Sequence, residues 1–161
     1  MGRFFERMKT GMLFLGMFFF SIASVFAVSF EDVAHKKPTG FINDFANMLR
    51  NDEELESIAK SVEQETGGEM VVVTIDELPN DYSIETFATE LFEVWGIGKK
   101  EKNNGVLLLI SKNDRAFRIE TGYGVEGILP DLLVNRIAKA YLVPNFKRGD
   151  YDNGVLQPCS P

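Results

Sequence analysis

Two uninterrupted apolar runs dominate the hydropathy pattern of this chain. MVVVTI at 70–75 and GVLLLIS at 105–111 lack the polar alternation of a half-exposed strand. Runs of that length and composition predict strands covered on both faces. Between them, Ile84, Phe87, Ala88, Leu91, Phe92 and Trp95 recur on one helical face, and Gly96 supplies the stop. Strand, helix and strand at this spacing predict a βαβ unit with two parallel strands and a right-handed crossover. Lys112, Asn113 and Asp114 then make a turn, and RAFRIET returns with Phe117 and Ile119 alternating against Arg118 and Glu120. So short a connection makes this third strand antiparallel to the second, and its alternation fits an edge strand with one wet face. The reading is an α/β fold on a mixed sheet.

The flanking segments are less regular. Residues 28–40, VSFEDVAHKKPTG, show no period and read as an exposed lead-in, and FINDFANMLR at 41–50 reads as turn-rich. Asn51 offers an N-cap, with Glu54 as its capping-box partner, for a helix carrying Leu55, Ile58, Ala59 and Val62 on one face. Gly67 and Gly68 end it. Pro130 suits the first turn of a later helix whose buried stripe is Leu133, Val134, Ile137, Ala140 and Tyr141. The segment beginning VPNFKRGDYDNG at 143 reads as a connector. Residues 155–161 read as irregular, because Val155 and Leu156 begin an element that Pro158 and Pro161 stop, as in a truncated or altered C-terminus.

The N-terminus changes the expected address. Arg3, Arg7 and Lys9 precede GMLFLGMFFFSIASVF, an uncharged run from Gly11 to Phe26, and Val25-Phe26-Ala27 places small residues at a cleavage position. That is the anatomy of a secretory signal over residues 1–27, with an uncleaved anchor as the alternative. The run of 16 residues falls short of the roughly 20 that cross a bilayer. Removing the leader takes away three basic residues and one acid, so the remainder is more acidic than the -7 of the whole chain. An acidic domain without a basic stripe sets nucleic acid aside as a partner. Cys159 is the single cysteine and His35 the single histidine, which excludes an internal disulfide, a Cys-rich zinc site and a well-supported Ser-His-Asp triad.

RIETGYGVEGILPDLL at 118–133 contains a literal G-x-G-x-x-G at Gly122, Gly124 and Gly127. A dinucleotide loop needs a helix opening among its glycines, so that amides face the pyrophosphate. Here the helix waits until Pro130, and Glu120, Glu126 and Asp131 repel phosphate, so NAD is not expected. The strand directions instead bring this bend to the edge where Asn103 and Asn104 precede the second apolar strand. Carboxylates, amide oxygens and carbonyls turned inward by glycines are hard oxygen donors of the kind that hold Ca2+ or Mg2+. Asn104, Glu120, Glu126 and Asp131 are the candidate ligands there, with Gly122, Tyr123 and Gly124 shaping the bend. Asp44 joins the ligand set although its segment can reach either edge. The opposite edge gathers Asp76, Glu77, Asp81, Asp114 and Arg115, and ligands of open α/β sheets favour that side.

Several blocks carry a resemblance. IND at 42–44, WGIGKKEKNNGVLLLI at 95–110, NDR at 113–115, IETGYGVEGILPD at 119–131 and NFKRGDYDNG at 145–154 resemble, in this order, the signature blocks of TPM domains. The family is named for a thylakoid lumen protein, a photosystem II-associated protein and a modulator of nematode acetylcholine receptors. The resemblance runs from about Gly40 to Gly154, and 41–154 is taken as the domain. It implies a three-layer α/β/α sandwich outside the cytoplasm, periplasmic or secreted, usually membrane-associated. It also implies calcium or another divalent ion in some relatives and a weak acid phosphatase activity in plant members. Bacterial members often add a transmembrane helix or Gly-rich tail, and this chain departs from the pattern after Gly154. Asp44, Asn104, Asp114, Arg115, Tyr123, Gly124, Glu126 and Asp131 are the positions carried over.

The expected function is therefore an extracytoplasmic binding module, holding a divalent cation and acting at or near a membrane-protein complex. Membrane association would come through the leader or a missing C-terminal anchor. A metal-assisted acid phosphatase, with Arg115 as an alternative clamp on the developing anion, is the catalytic alternative. A structural domain without a ligand is the third.

Overall fold

The computed structural model describes residues 29–36, 38–99 and 101–159. The leader expected at 1–27 and the last residues of the expected irregular tail, 160–161, lie outside them. Strands β1 (Ile42–Asp44), β2 (Glu69–Ile75), β3 (Gly105–Ser111) and β4 (Ala116–Thr121) form one sheet in the order β1-β2-β3-β4. β1, β2 and β3 are parallel, while β4 folds back antiparallel on β3 and occupies the edge. The mixed sheet with its βαβ unit and return strand is the one the hydropathy pattern predicts.

Both faces of the sheet are covered. Val71, Val73 and Ile75 of β2, with Leu107 and Leu109 of β3, point to the face packed by Phe87, Ala88 and Leu91 of α3 (Ile84–Trp95). Val72, Leu108 and Ile110 point to the other face. Leu55 of α2 (Asp52–Thr66), Leu142 and Val155 meet them there. Alternate residues of one continuous apolar run thus serve two cores, which is why the run shows no polar alternation. Each fully buried side chain contributes about 1.5–3 kcal/mol by leaving water. Helices on both faces make the three layers of an α/β/α sandwich.

Four segments depart from the sequence reading. The exposed lead-in instead contains α1 (Phe30–Ala34), closed by a capping box in which Ser29 N–H donates to Asp32 Oδ2 at 3.0 Å and Asp32 N–H to Ser29 Oγ at 3.3 Å. Val33 is buried, and Trp95 Nε1 donates to Ala34 O at 3.1 Å, pinning α1 to α3. The turn-rich segment contains β1, whose three residues are too few to show a period; its Asn43 is buried but satisfied, accepting from Thr39 N–H and donating to Gly40 O. The capping box at Asn51 does not form: Asn51 makes no side-chain cap, and its own N–H donates to Asp152 Oδ1 at 3.0 Å. The expected irregular tail is instead helical through Cys159, since α6 (Tyr151–Cys159) carries Pro158 within its last turn and buries Val155.

The helix after Pro130 is also not uniform. α4 (Asp131–Ile137) passes into a π turn at Ala138–Leu142 and then into α5 (Val143–Lys147). The wider turn absorbs extra chain without advancing the face, so a stripe counted at 3.6 residues per turn drifts off the core. Leu142 is 2% exposed, whereas Tyr141 is 40% exposed and Ala140 also faces outward.

At the end of β4 the glycine bend passes against the loop before β3. Gly122 N–H donates to Gly105 O and Gly124 N–H to Asn103 O, both at 2.9 Å. A Cβ on Gly124 would overlap the Lys102 carbonyl oxygen, and one on Gly122 would overlap that of Asn103. Gly124→Ala is expected to cost about 1–3 kcal/mol by overpacking. Gly127→Ala, with open space around it, is expected to stay within about 0.5 kcal/mol of the parent. Urea unfolding of the two variants checks the contrast, and equal stabilities would contradict the close approach.

Candidate functional site

The glycine bend and the asparagines do meet, through the hydrogen bonds at Asn103 and Gly105. Backbone groups alone make the joint, while the candidate side chains either bond elsewhere or stay exposed. Asn104 Nδ2 donates to Gly67 O at 2.6 Å, and its Oδ1 accepts from Lys99 N–H at 3.0 Å, so the amide splices two loops. Glu120 is drawn to Arg118, with Oε2 3.0 Å from Nη2 and 3.1 Å from Nε. Glu126, Asp131 and Tyr123 are exposed, Tyr123 at 82%. Neither the Glu126 nor the Asp131 carboxylate accepts a hydrogen bond or pairs with a cation among the described residues. Gly122 and Gly124 serve close backbone packing.

Asp44 stands elsewhere. Parallel pairing with β2 puts it opposite Thr74, at the carboxyl end of β1. Its carboxylate accepts from the Thr74 hydroxyl, from Met48 N–H at 3.0 Å and from Leu49 N–H at 2.9 Å. It therefore ties the turn after β1 to the neighbouring strand. The five residues expected to share a cation are divided between two edges, and among the described residues no group of three or more acidic, histidine or cysteine side chains is placed to hold a metal.

The carboxyl edge carries a different kind of site. The turn between β3 and β4 is clamped by Asp114, whose Oδ2 accepts from Leu78 N–H at 2.7 Å and from Ser111 Oγ–H at 2.5 Å. Lys112 Nζ donates to Ala46 O at 2.9 Å and lies 3.9 Å from Asp76. Arg115 closes the turn at φ 52°, a left-handed conformation that a residue with a Cβ adopts at a cost of about 1–2 kcal/mol. Backbone strain of this kind clusters at ligand sites.

Beside that turn, between β4 and the helices α5 and α6, lies a cavity of about 600 Å3. Lys112 and Arg115 from the turn, and Lys147 and Arg148 from the end of α5, line it. No acid lines it, in a chain with 24 acids and 17 bases. Arg148 Nη2 donates to Asn145 Oδ1 at 2.5 Å. Asn145 is buried at 3% exposure, and its Nδ2 donates to Tyr141 O and Gln157 Oε1. A fixed amide thus aims the guanidinium. Arg115 and Lys147 have no carboxylate partner among the described residues. Phe117 and Phe146, edge to face at 5.5 Å, and Tyr151, 5.1 Å from Phe146, form the apolar part of the lining.

Carboxylates collect on the other side of the same edge. Loss of hydration, then the neighbouring charges of Asp44 and Asp152, hold the Asp52 carboxyl above its ordinary range. Asp152 Oδ1 accepts from Arg50 N–H at 2.7 Å and Asn51 N–H at 3.0 Å, joining α6 to the start of α2.

Of the sequence candidates, the cavity includes Arg115, with Asp114 clamping the same turn. Lys112, Lys147, Arg148 and Tyr151 were not among the candidates. The signal available for them was the run KRG at 147–149, two bases beside a glycine in an otherwise acidic chain. It reads as a connector until α5 brings it against β4.

The profile of the TPM domain, which carries the label TPM phosphatase, matches residues 42–159. Comparison with curated proteins gives no match. Among solved structures, the chain is similar to the solution NMR structure of the N-terminal domain of a protein from P. gingivalis. The two are 33% identical, with 83% of this chain and 90% of that one covered at a TM-score of 0.70. It shares its fold with the N-terminal domain of the cg2496 protein from Corynebacterium glutamicum, at 12% identity, 75% and 76% coverage and a TM-score of 0.60. The BA42 protein from the psychrophilic bacterium Bizionia argentinensis is similar in the same way, at 19% identity, 71% and 79% coverage and a TM-score of 0.60. By the profile and by the P. gingivalis domain, the chain belongs to the TPM domain family.

Proposed function

We propose that the domain is a binding module for phosphate-bearing anions, with the carboxyl-edge cavity as its site. The carrying observation is the cavity's charge: four bases and no acid, within a chain of net charge -7. Like-charged groups brought to one concave surface repel, and an anion offsets that cost. Arg148 and Arg115 supply planar donors that match phosphate oxygens, while Lys112 and Lys147 act as point charges. The location agrees with the general preference of open α/β sheets for ligands beyond the carboxyl ends of parallel strands.

Hydrolysis of a phosphomonoester is the catalytic extension of this reading. The label of the family profile supports it, as does the Ser111 hydroxyl held by Asp114 at the cavity wall. Ser111 is 1% exposed, which makes binding the primary reading and attack on phosphorus the secondary one. The basic groups would stabilise charge developing on the phosphoryl oxygens.

A divalent ion is a separate reading, favoured by the placement of Asp152, hydrogen-bonded to Arg50 and Asn51 N–H, beside the Asp52 carboxyl. Lost hydration, then the charges of Asp44 and Asp152, raise that carboxyl. With no grouping of three ligating acids there among the described residues, Ca2+ or Mg2+ would be held by Asp52 and Asp152 alone, with water completing its shell. At the bend, Glu126 and Asp131 are the unengaged carboxylates. The basic start, apolar run and small-residue exit of residues 1–27 support an extracytoplasmic address, from which the domain would act near a membrane-protein complex. Among the described residues no helix is long and apolar enough to cross a membrane.

Arg115→Gln is expected to weaken inorganic phosphate binding about tenfold or more, the order expected for a lost charged hydrogen bond. Arg115→Gly should weaken it as much while raising stability by about 1 kcal/mol, because glycine removes the left-handed strain. Calorimetric titration with phosphate, paired with urea unfolding, reads both, and unchanged affinity in both variants overturns the assignment. Hydrolysis of a chromogenic aryl phosphate should fall about tenfold or more in Arg115→Gln; equal rates in the two preparations would mark a contaminating enzyme. For the divalent ion, calcium titration followed by amide chemical shifts should move Asp52 and Asp152 before Glu126 and Asp131. No movement at either place in the millimolar range contradicts that reading.

A further inference from the structure

We infer that the anion taken by the carboxyl-edge cavity is a phosphate ester of an aromatic body, rather than free phosphate or a sugar phosphate. The inference rests on the phosphate-binding reading of that cavity. Its first support is size: about 600 Å3 falls within the roughly 300–1,000 Å3 typical of small-molecule sites and leaves space beside the charged group.

The second support is the lining. Phe117 comes from β4 and Phe146 from α5, their planes 87° apart with centroids 5.5 Å apart; Tyr151 adds a third ring. All three are half-buried, so each keeps surface that a ligand can cover. Aromatic rings gain from such edge and face contacts beyond the area they bury. Gly154 helps to set Phe146, since a Cβ there would stand 2.5 Å from Phe146 Cε1 and displace the ring.

The third support concerns the partners a sugar would need. The Ser111 hydroxyl is given to Asp114, and the Asn145 amide is divided among Tyr141 O, Gln157 and Arg148. A polyol entering beside the rings would find the Tyr151 hydroxyl as the one neutral side-chain partner of the lining not already engaged among the described residues, and would regain only part of the hydrogen bonding it gives up to water. A flat apolar body loses nothing there. Phosphate oxygens would meet Arg115 and Lys147, the two bases without carboxylate partners among the described residues.

The test is a titration of the full chain with inorganic phosphate, glucose 6-phosphate and phenyl phosphate. Phenyl phosphate is expected to bind about tenfold more tightly than glucose 6-phosphate, the order supplied by covering one ring. Phe117→Leu, which keeps apolar bulk, should remove that preference, read within the variant as the ratio of its phenyl phosphate affinity to its glucose 6-phosphate affinity. Equal affinities for the two esters overturn the aromatic-body inference and leave phosphate binding standing. Absence of binding by all three removes the underlying reading and this inference together.

Discussion

Parallel pairing of β2 with β3, from Glu69 opposite Gly105 to Ile75 opposite Ser111, decides which residues of this protein can meet. It sends every carboxyl end of the parallel strands to one edge. The turn at Lys112–Arg115 therefore emerges there, and β4 must descend. The glycine bend at its far end is delivered to the loop before β3 by the same geometry. A slip of one residue would turn the side chains of the moved strand to the opposite faces while its partner kept its own, so burial on both sides enforces the register. The two edges then acquire opposite characters. One is a joint of close backbones and committed amides; the other is a basic recess beside a group of carboxylates.

Charge segregation is the main chemical feature of the recess. The chain is acidic overall, yet bases from the β3–β4 turn and from the end of α5 share one concavity. In a chain of net charge -7, four bases on one concavity give an approaching anion a local attraction that the overall charge opposes. Arg115 is kept there in a backbone conformation that glycine would adopt more easily. On the proposed binding role, stability and affinity would pull in different directions at that residue.

How much of this was legible in the sequence depended on element length and on the separation of partners. β2, β3, α3 and the return of β4 were legible because their apolar periods run for six residues or more. The encounter of Gly122–Gly124 with Asn103–Asn104 followed from strand direction alone. β1 was not legible, since three residues, IND, cannot display a period and its pairing with β2 is a tertiary fact. Without β1, Asp44 could not be assigned to an edge. Lys147 and Arg148 were illegible for the same kind of reason: they lie 32 and 33 residues beyond Arg115 in the chain, and only the packing of α5 joins them. The Ser29-x-x-Asp32 cap of α1 was visible, but its short helix gave no stripe to support it.

The π turn at Ala138–Leu142 has a consequence for how the recess can vary among related chains. Such a turn accommodates about one residue more than an α-helix over the same rise. A chain lacking that residue would regain regular winding, and everything beyond would rotate by roughly a quarter of a turn or more about the helix axis. Lys147 would then swing away from the strand edge while Leu142 left the core. Sequence length across this one turn is thus coupled to the placement of charge in the recess, and a single-residue gap there would mark a relative whose bases stand differently.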